Sequence, residues 1–245
     1  MRHGQSAGNV ARDAAERRGL PDIVIAERDV DVPLSALGHR QAEALGEWFA
    51  EMPVGKRPQV ILCSPYLRAR QTADHVLAVL ATARGKGPAP ERKIDERLRE
   101  KEFGILDRLT RTGVRAKFPE LAEQLTHVGK FYFRPPGGES WCDVILRLCS
   151  FDEMLTREHR KERVLVVAHQ VIVNCLRYLL ERLDAESGDL PRRSRTGRNG
   201  RLLADLGKRC RFREGCDVVS ALEEAVSSRA AAMGCASECA RDRSG

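Results

Sequence analysis

The sequence lacks any uninterrupted apolar run of the roughly 18 residues that a membrane-spanning helix needs, so no span and no membrane partner are expected. Aromatic residues are scarce, at 5% of the chain, and Phe212 is the only one in its most basic segment. Cations without interleaved aromatics offer no stacking platform, so no nucleic-acid partner is expected. Cysteines in zinc-binding spacing are also missing. Of eight, Cys210, Cys216, Cys235 and Cys239 lie in the C-terminal tail without Cys-x-x-Cys pairs, and no histidine follows His169. Neither a metal nor another cofactor is expected. Cys63, Cys142, Cys149 and Cys175 sit in apolar patterns and read as small buried hydrophobes. The first thirty residues are dotted with Arg, Asp and Glu. They hold no secretory pattern, and the expected location is the cytoplasm.

What is present suits a globular domain. The 245 residues are 42% hydrophobic and 31% charged, enough to bury a real core. The formal charge of +7 is uneven, because residues 191–215 carry nine cations against two anions. Pro191 to Gly200 is rich in Arg, Ser and Gly and reads as a linker or disordered stretch. The expected organisation is an α/β domain over residues 1–190. A basic, Cys-containing tail follows over 191–245, disordered or forming one helix around 216–233.

Two short β-branched runs, Gln59 to Cys63 and Arg163 to Ala168, read as buried parallel strands. Lys93 to Leu98 is a weaker candidate. Amphipathic stripes lie between them. One is Leu37, Ala44, Leu45 and Trp48, with Ser35 as N-cap. A second is Ala73, Val76, Leu77 and Leu80, with Ser64-Pro65 as cap and first-turn proline. Trp141 to Leu155 and Ile172 to Leu183 carry two more. Strands alternating with helices predict a doubly wound, mostly parallel sheet with helices on both faces.

Chemistry at a phosphate monoester needs a nucleophile, cations for the equatorial oxygens and an acid for the leaving oxygen. Candidates fall at the expected strand ends. Arg2-His3-Gly4 suits a tight loop whose backbone approaches an anion. Arg68, in Ser64-Pro65-Tyr66-Leu67-Arg68-Ala69-Arg70-Gln71-Thr72-Ala73, falls near a helix N-terminus. Leu98-Arg99-Glu100-Lys101-Glu102-Phe103-Gly104 offers loop carboxylates, of which Glu102 reads as a surface residue. His169 ends the best strand. Arg70 reads as a solvated helix residue, Ser140 as a helix cap, and His39, His75, His127 and His159 as residues in polar surroundings.

Taken together, these segments resemble the histidine phosphatase (phosphoglycerate mutase-like) superfamily over residues 1 to about 184. The Arg-His-Gly loop has its accompanying Asn9. Leu34-Ser35-Ala36-Leu37-Gly38 with Gln41-Ala42 fits the next segment, and Gly138-Glu139-Ser140 fits the family's turn. The run Arg134 to Ser140 looks most like the broad-specificity phosphatase branch. The resemblance implies that His3 attacks phosphorus and becomes a phosphohistidine. It implies that Arg2, Asn9, Arg68 and His169 hold the phosphoryl oxygens, and that Glu100 protonates the leaving oxygen. The implied activity is metal-independent hydrolysis of a small phosphorylated substrate. The alternatives are mutase-type phosphoryl transfer, or an inactive truncated member that only binds phosphorylated ligands. Oligomeric state is not legible.

Two departures from the family carry expectations of their own. No apolar strand precedes Arg2, so the first family strand is expected to be missing, the true start to lie upstream and His3 to sit on a frayed end. No apolar edge strand is visible after Leu190.

Overall fold

The computed structural model describes residues 1–83 and 89–181. The expected tail over 191–245, its candidate helix, and most of the Gly85 to Pro90 loop lie outside the described residues. The helices are α1 (Ala7–Arg17), α2 (Ala36–Glu51), α3 (Leu67–Thr82), α4 (Arg111–Lys117), α5 (Pro119–Tyr132), α6 (Trp141–Glu158) and α7 (Gln170–Glu181). The strands are β1 (Val60–Cys63), β2 (Glu91–Ile94) and β3 (Val164–Val167), all parallel in the order β2-β1-β3.

The apolar run of β1 follows from burial on both faces. Val60 and Leu62 pack with Val144, Leu148 and Phe151 of α6 and Ile172 and Cys175 of α7. Ile61 and Cys63 point the other way, onto Leu45 of α2 and Ala69, Ala73 and Val76 of α3. The sheet is therefore an open α/β layer with helices on both faces, as the alternating pattern predicted. Cys63 and Cys175 are buried as expected, whereas Cys142 and Cys149 are only half-buried.

Ser35 caps α2 by accepting from the Gly38 N–H. Ser140 closes a reciprocal capping box with Asp143 at the start of α6. The reading of Ser64-Pro65 as the α3 cap is corrected: the helix starts at Leu67 after Tyr66, with no side-chain cap. The candidate strand from Lys93 to Leu98 is also shifted. β2 ends at Ile94, and Glu96–Leu98 forms a turn of 3₁₀ helix capped by Asp95.

No full strand leads into Arg2, yet the chain's first residues do not fray. The Met1 ammonium donates to the Val166 carbonyl at 2.6 Å. Ala168 N–H donates to Met1 O at 2.9 Å, and His3 N–H to Ala168 O at 3.0 Å. Residues 1–3 thus lie parallel to the end of β3, and His3 is only 7% exposed. Among the described residues no helix is long and apolar enough to cross a membrane.

Candidate active site

The strand ends converge on two histidines. Because Arg2 pairs with Ala168, His3 and His169 leave neighbouring backbones side by side. Their rings sit edge to face with centroids 5.2 Å apart.

Glycine makes the His3 loop buildable. A Cβ on Gly4 would stand 2.6 Å from the Gly38 carbonyl oxygen, and one on Gly38 only 1.9 Å from that of Gln5. The loop and the first turn of α2 are therefore in direct backbone contact. Polar anchors fix the register: Gly4 N–H donates to Thr72 Oγ1 at 3.1 Å, and Gln5 N–H to Gln41 Oε1 at 2.8 Å.

The His3 ring is oriented by Nδ1, which lies 2.6 Å from the Gly4 carbonyl oxygen. A carbonyl can only accept, so Nδ1 carries the proton and Nε2 keeps its lone pair. Burial first, and then the charge of Arg68, lowers the His3 pKa to about 3, against the opposing Gly4 hydrogen bond. The ring is neutral at physiological pH.

His169 is fully buried and held from the other side. Its Nε2 lies 2.7 Å from Ser64 Oγ, which also accepts from the Tyr66 N–H at 3.3 Å. That contact engages Nε2 and leaves Nδ1 as the ring nitrogen free to serve the site. Nδ1 is buried, has no hydrogen-bond partner, and lies 3.7 Å from Glu100 Oε2. Burial, followed by the charges of His3, Arg68 and Arg2, holds His169 well below the usual imidazole range.

Arg68, at the start of α3, is 5% exposed and stacks on Tyr66, 4.8 Å from the ring centroid. Its charge reaches His3, His169 and Glu100, as does that of Arg2. Its guanidinium meets the Asp29 carboxylate at 3.1 Å. The Glu100 side chain is 14% exposed, and Oε1 accepts the Lys101 N–H at 2.8 Å. Burial raises the Glu100 pKa, opposed by that hydrogen bond and by Arg68. Asn9 lies one helical turn beyond the loop. Its Oδ1 accepts the Ser6 N–H in a capping box, which leaves the NH₂ end as its donor. The sequence-identified residues His3, His169, Arg68, Glu100 and Arg2 are thus brought within electrostatic reach of one another.

Sequence reasoning missed several groups that hold the site. Ser64 was assigned to a helix cap, and only the fold brings it to His169. Arg147 carried no signal. It is 13% exposed, donates to the carbonyls of Arg97, Arg99 and Glu100, and pairs with Glu139 at 3.0 Å. Glu139 also accepts from the Glu102 N–H and from Arg99. These contacts fasten the Glu100 loop to α6. Glu102 is exposed, as expected, but Arg70 is half-buried, and its Nε is buried without a partner. His159 has the polar surroundings expected of it, paired with Glu162 while only 7% exposed.

This geometry can be set beside known proteins. The family described as "Histidine phosphatase superfamily (branch 1)" matches residues 1–198. The chain belongs to that superfamily. A 2,3-bisphosphoglycerate-dependent phosphoglycerate mutase of Chelativorans sp. (strain BNC1) is 33% identical over 193 residues, covering 77% of this chain and 82% of the relative. A 6-phosphofructo-2-kinase/fructose-2,6-bisphosphatase of Caenorhabditis elegans is 33% identical over 154 residues. That match covers 62% of this chain but only 30% of the relative. Among solved structures, a mycobacterial glucosyl-3-phosphoglycerate phosphatase aligns with a TM-score of 0.57 at 25% identity, covering 76% of this chain and 80% of that one. This member of the superfamily therefore has both mutases and phosphatases among its relatives.

Proposed function

We propose that this chain hydrolyses phosphate monoesters through a phosphohistidine formed on His3, without a metal. The observation that carries the reading is the His3 Nδ1 contact with the Gly4 carbonyl, which leaves a neutral, desolvated Nε2 as nucleophile. In the first step the Nε2 lone pair forms a bond to phosphorus as the ester P–O bond breaks. Glu100, whose pKa burial raises, gives its proton to the departing alkoxide. In the second step water attacks the phosphohistidine, Glu100 takes the water proton, and inorganic phosphate leaves.

Arg2, Arg68, the Asn9 amide and the His169 Nδ1–H would hold the equatorial oxygens. His169 has the only buried imidazole nitrogen without a partner among the described residues, and an anion in the site would supply one. Two guanidinium groups and a histidine can neutralise a phosphate dianion without a cation. The residues assigned to the chemistry run from Arg2 to His169, inside the family match over residues 1–198.

Turnover of an aryl phosphate by the full chain, with and without chelator, tests the reading. The expected result is chelator-resistant hydrolysis, an acid-labile phosphohistidine on quenching, and loss of both in His3→Ala. Full activity in His3→Ala, or loss with chelator, would refute it. Transfer of phosphate to a phosphoglycerate rather than to water would favour the mutase reading suggested by the Chelativorans relative.

A further inference from the structure

Arg68 reaches the site with one edge held from outside. The 3₁₀ turn Asp29–Asp31 lies against α3. There Asp29 Oδ1 meets Arg68 Nη1 at 3.1 Å, and Oδ2 accepts from Nη2 at 3.2 Å. The Asp29 backbone oxygen accepts from Nη1 as well, at 2.5 Å. A guanidinium is a planar fork of five N–H donors. Asp29 thus takes the edge formed by Nη1 and Nη2, together with the outer Nη1–H. The other edge, Nε–H with the second Nη2–H, has no acceptor among the described residues. The turn that presents Asp29 is itself braced. Arg28 pairs with Asp31 across it at 2.7 Å, and Arg108 donates to the carbonyls of Ile25 and Glu27 just before it, at 2.9 and 2.7 Å.

The guanidinium stands among the reacting groups. It stacks on Tyr66, whose ring meets that of His169 with centroids 5.0 Å apart, and His169 in turn meets His3. Thr72 ties the Arg68 backbone to the His3 loop. Its hydroxyl donates to Arg68 O at 2.8 Å and accepts the Gly4 N–H at 3.1 Å. Asp29 comes from the solvent side, its side chain 43% exposed against 6% for Arg68. A carboxylate that merely neutralised Arg68 could lie on either edge. This one leaves a complete bidentate edge for the interior, the geometry in which a guanidinium binds phosphate oxygens.

We infer that Asp29 is a positioning residue for phosphoryl transfer: by gripping the Nη1/Nη2 edge of Arg68, it fixes the Nε/Nη2 edge to receive two phosphoryl oxygens. This rests on the phosphatase reading and adds a residue to its site.

The test uses the full chain with an aryl phosphate and with inorganic phosphate. Asp29→Ala should lower kcat about tenfold without raising KM, because Arg68 keeps its charge and loses its orientation. In an Arg68→Lys background, where no fork is left to orient, the same substitution should change kcat less than about twofold. In heteronuclear NMR spectra the Arg68 Nε–H, identified by its absence from Arg68→Lys, should shift when inorganic phosphate is added to the wild type and not when it is added to Asp29→Ala. If Asp29→Ala does not fold, Asp29→Asn, which keeps the size of the side chain and loses its charge, carries the same measurements. Wild-type kcat in the Asp29 variant, a loss carried by KM, a loss undiminished in the Arg68→Lys background, or an unaltered phosphate-induced shift overturns the proposal. The NMR arm separates the two readings. A shift that depends on Asp29, without wild-type turnover, would sink the phosphatase reading and keep this one. Turnover with a shift indifferent to Asp29 would do the reverse.

Discussion

The hydroxyl of Ser64 lies 2.7 Å from Nε2 of His169, and neither residue is reached by solvent. The pair lies 105 residues apart in sequence and is joined by the parallel register that sets Cys63 beside Val167. The hydroxyl fixes which imidazole nitrogen is left to face the site. Ser64→Ala should cost about 1–2 kcal/mol of stability, since it strands a buried imidazole nitrogen. It should also lower kcat/KM about tenfold, a comparable loss in transition-state binding. Chemical denaturation and steady-state kinetics would measure both. Wild-type kcat/KM in a folded Ser64→Ala would show that the His169 tautomer is set elsewhere.

The pH dependence of stability follows from His3. Its folded pKa is lowered from 6.5 to about 3, so over that window the unfolded chain binds a proton that the native chain refuses. Stability is then complete above the unfolded value and declines as pH falls, by about 1.4 kcal/mol per pH unit for each such histidine. His169 shifts in the same direction and adds to the slope. Urea unfolding between about pH 4.5 and about pH 6 should show this acid sensitivity, reduced by about one proton in His3→Asn. An identical slope in that variant would contradict the assignment.

Arg147 is expected to act on catalysis chiefly through the loop that carries Glu100. Lysine at this position keeps the charge but cannot span the loop carbonyls and both Glu139 oxygens. In Arg147→Lys, kcat for an alkyl phosphate, whose leaving oxygen needs a proton, should fall about tenfold or more. For an aryl phosphate with a good leaving group it should change much less. Equal losses on both substrates would point to general loosening of the site instead. Arg147→Ala breaks a mostly buried ion pair and should cost about 3–5 kcal/mol.

The fold was legible where local pattern and burial agree. The apolar run of β1 announces a strand covered on both faces, and Ser35 and Ser140 announce helix starts by chemistry that acts within three residues. Ser64-Pro65 carried the same local signal and misled, because the strand-to-helix turn spends the serine on His169. β2 was misplaced because it is an edge strand with every residue exposed, so no apolar pattern marks it.

By itself the sequence determined the family, the strands β1 and β3, the helices α2, α3, α6 and α7 but not α1, α4 or α5, and the identities of His3, Arg68, Glu100 and His169 as candidates. Each sits in a short motif whose residue types are readable without the fold. Only the tertiary structure decided how those groups are held: Met1 to His3 seated along β3, Ser64 on His169, Arg147 over the Glu100 loop, and Asp29 against Arg68. These contacts join segments far apart in the chain, and hydrogen bonds and ion pairs across such distances leave no periodicity or spacing to read. They exist because a parallel sheet gathers the ends of its strands on one edge, where loops from separate segments must satisfy each other's buried polar groups.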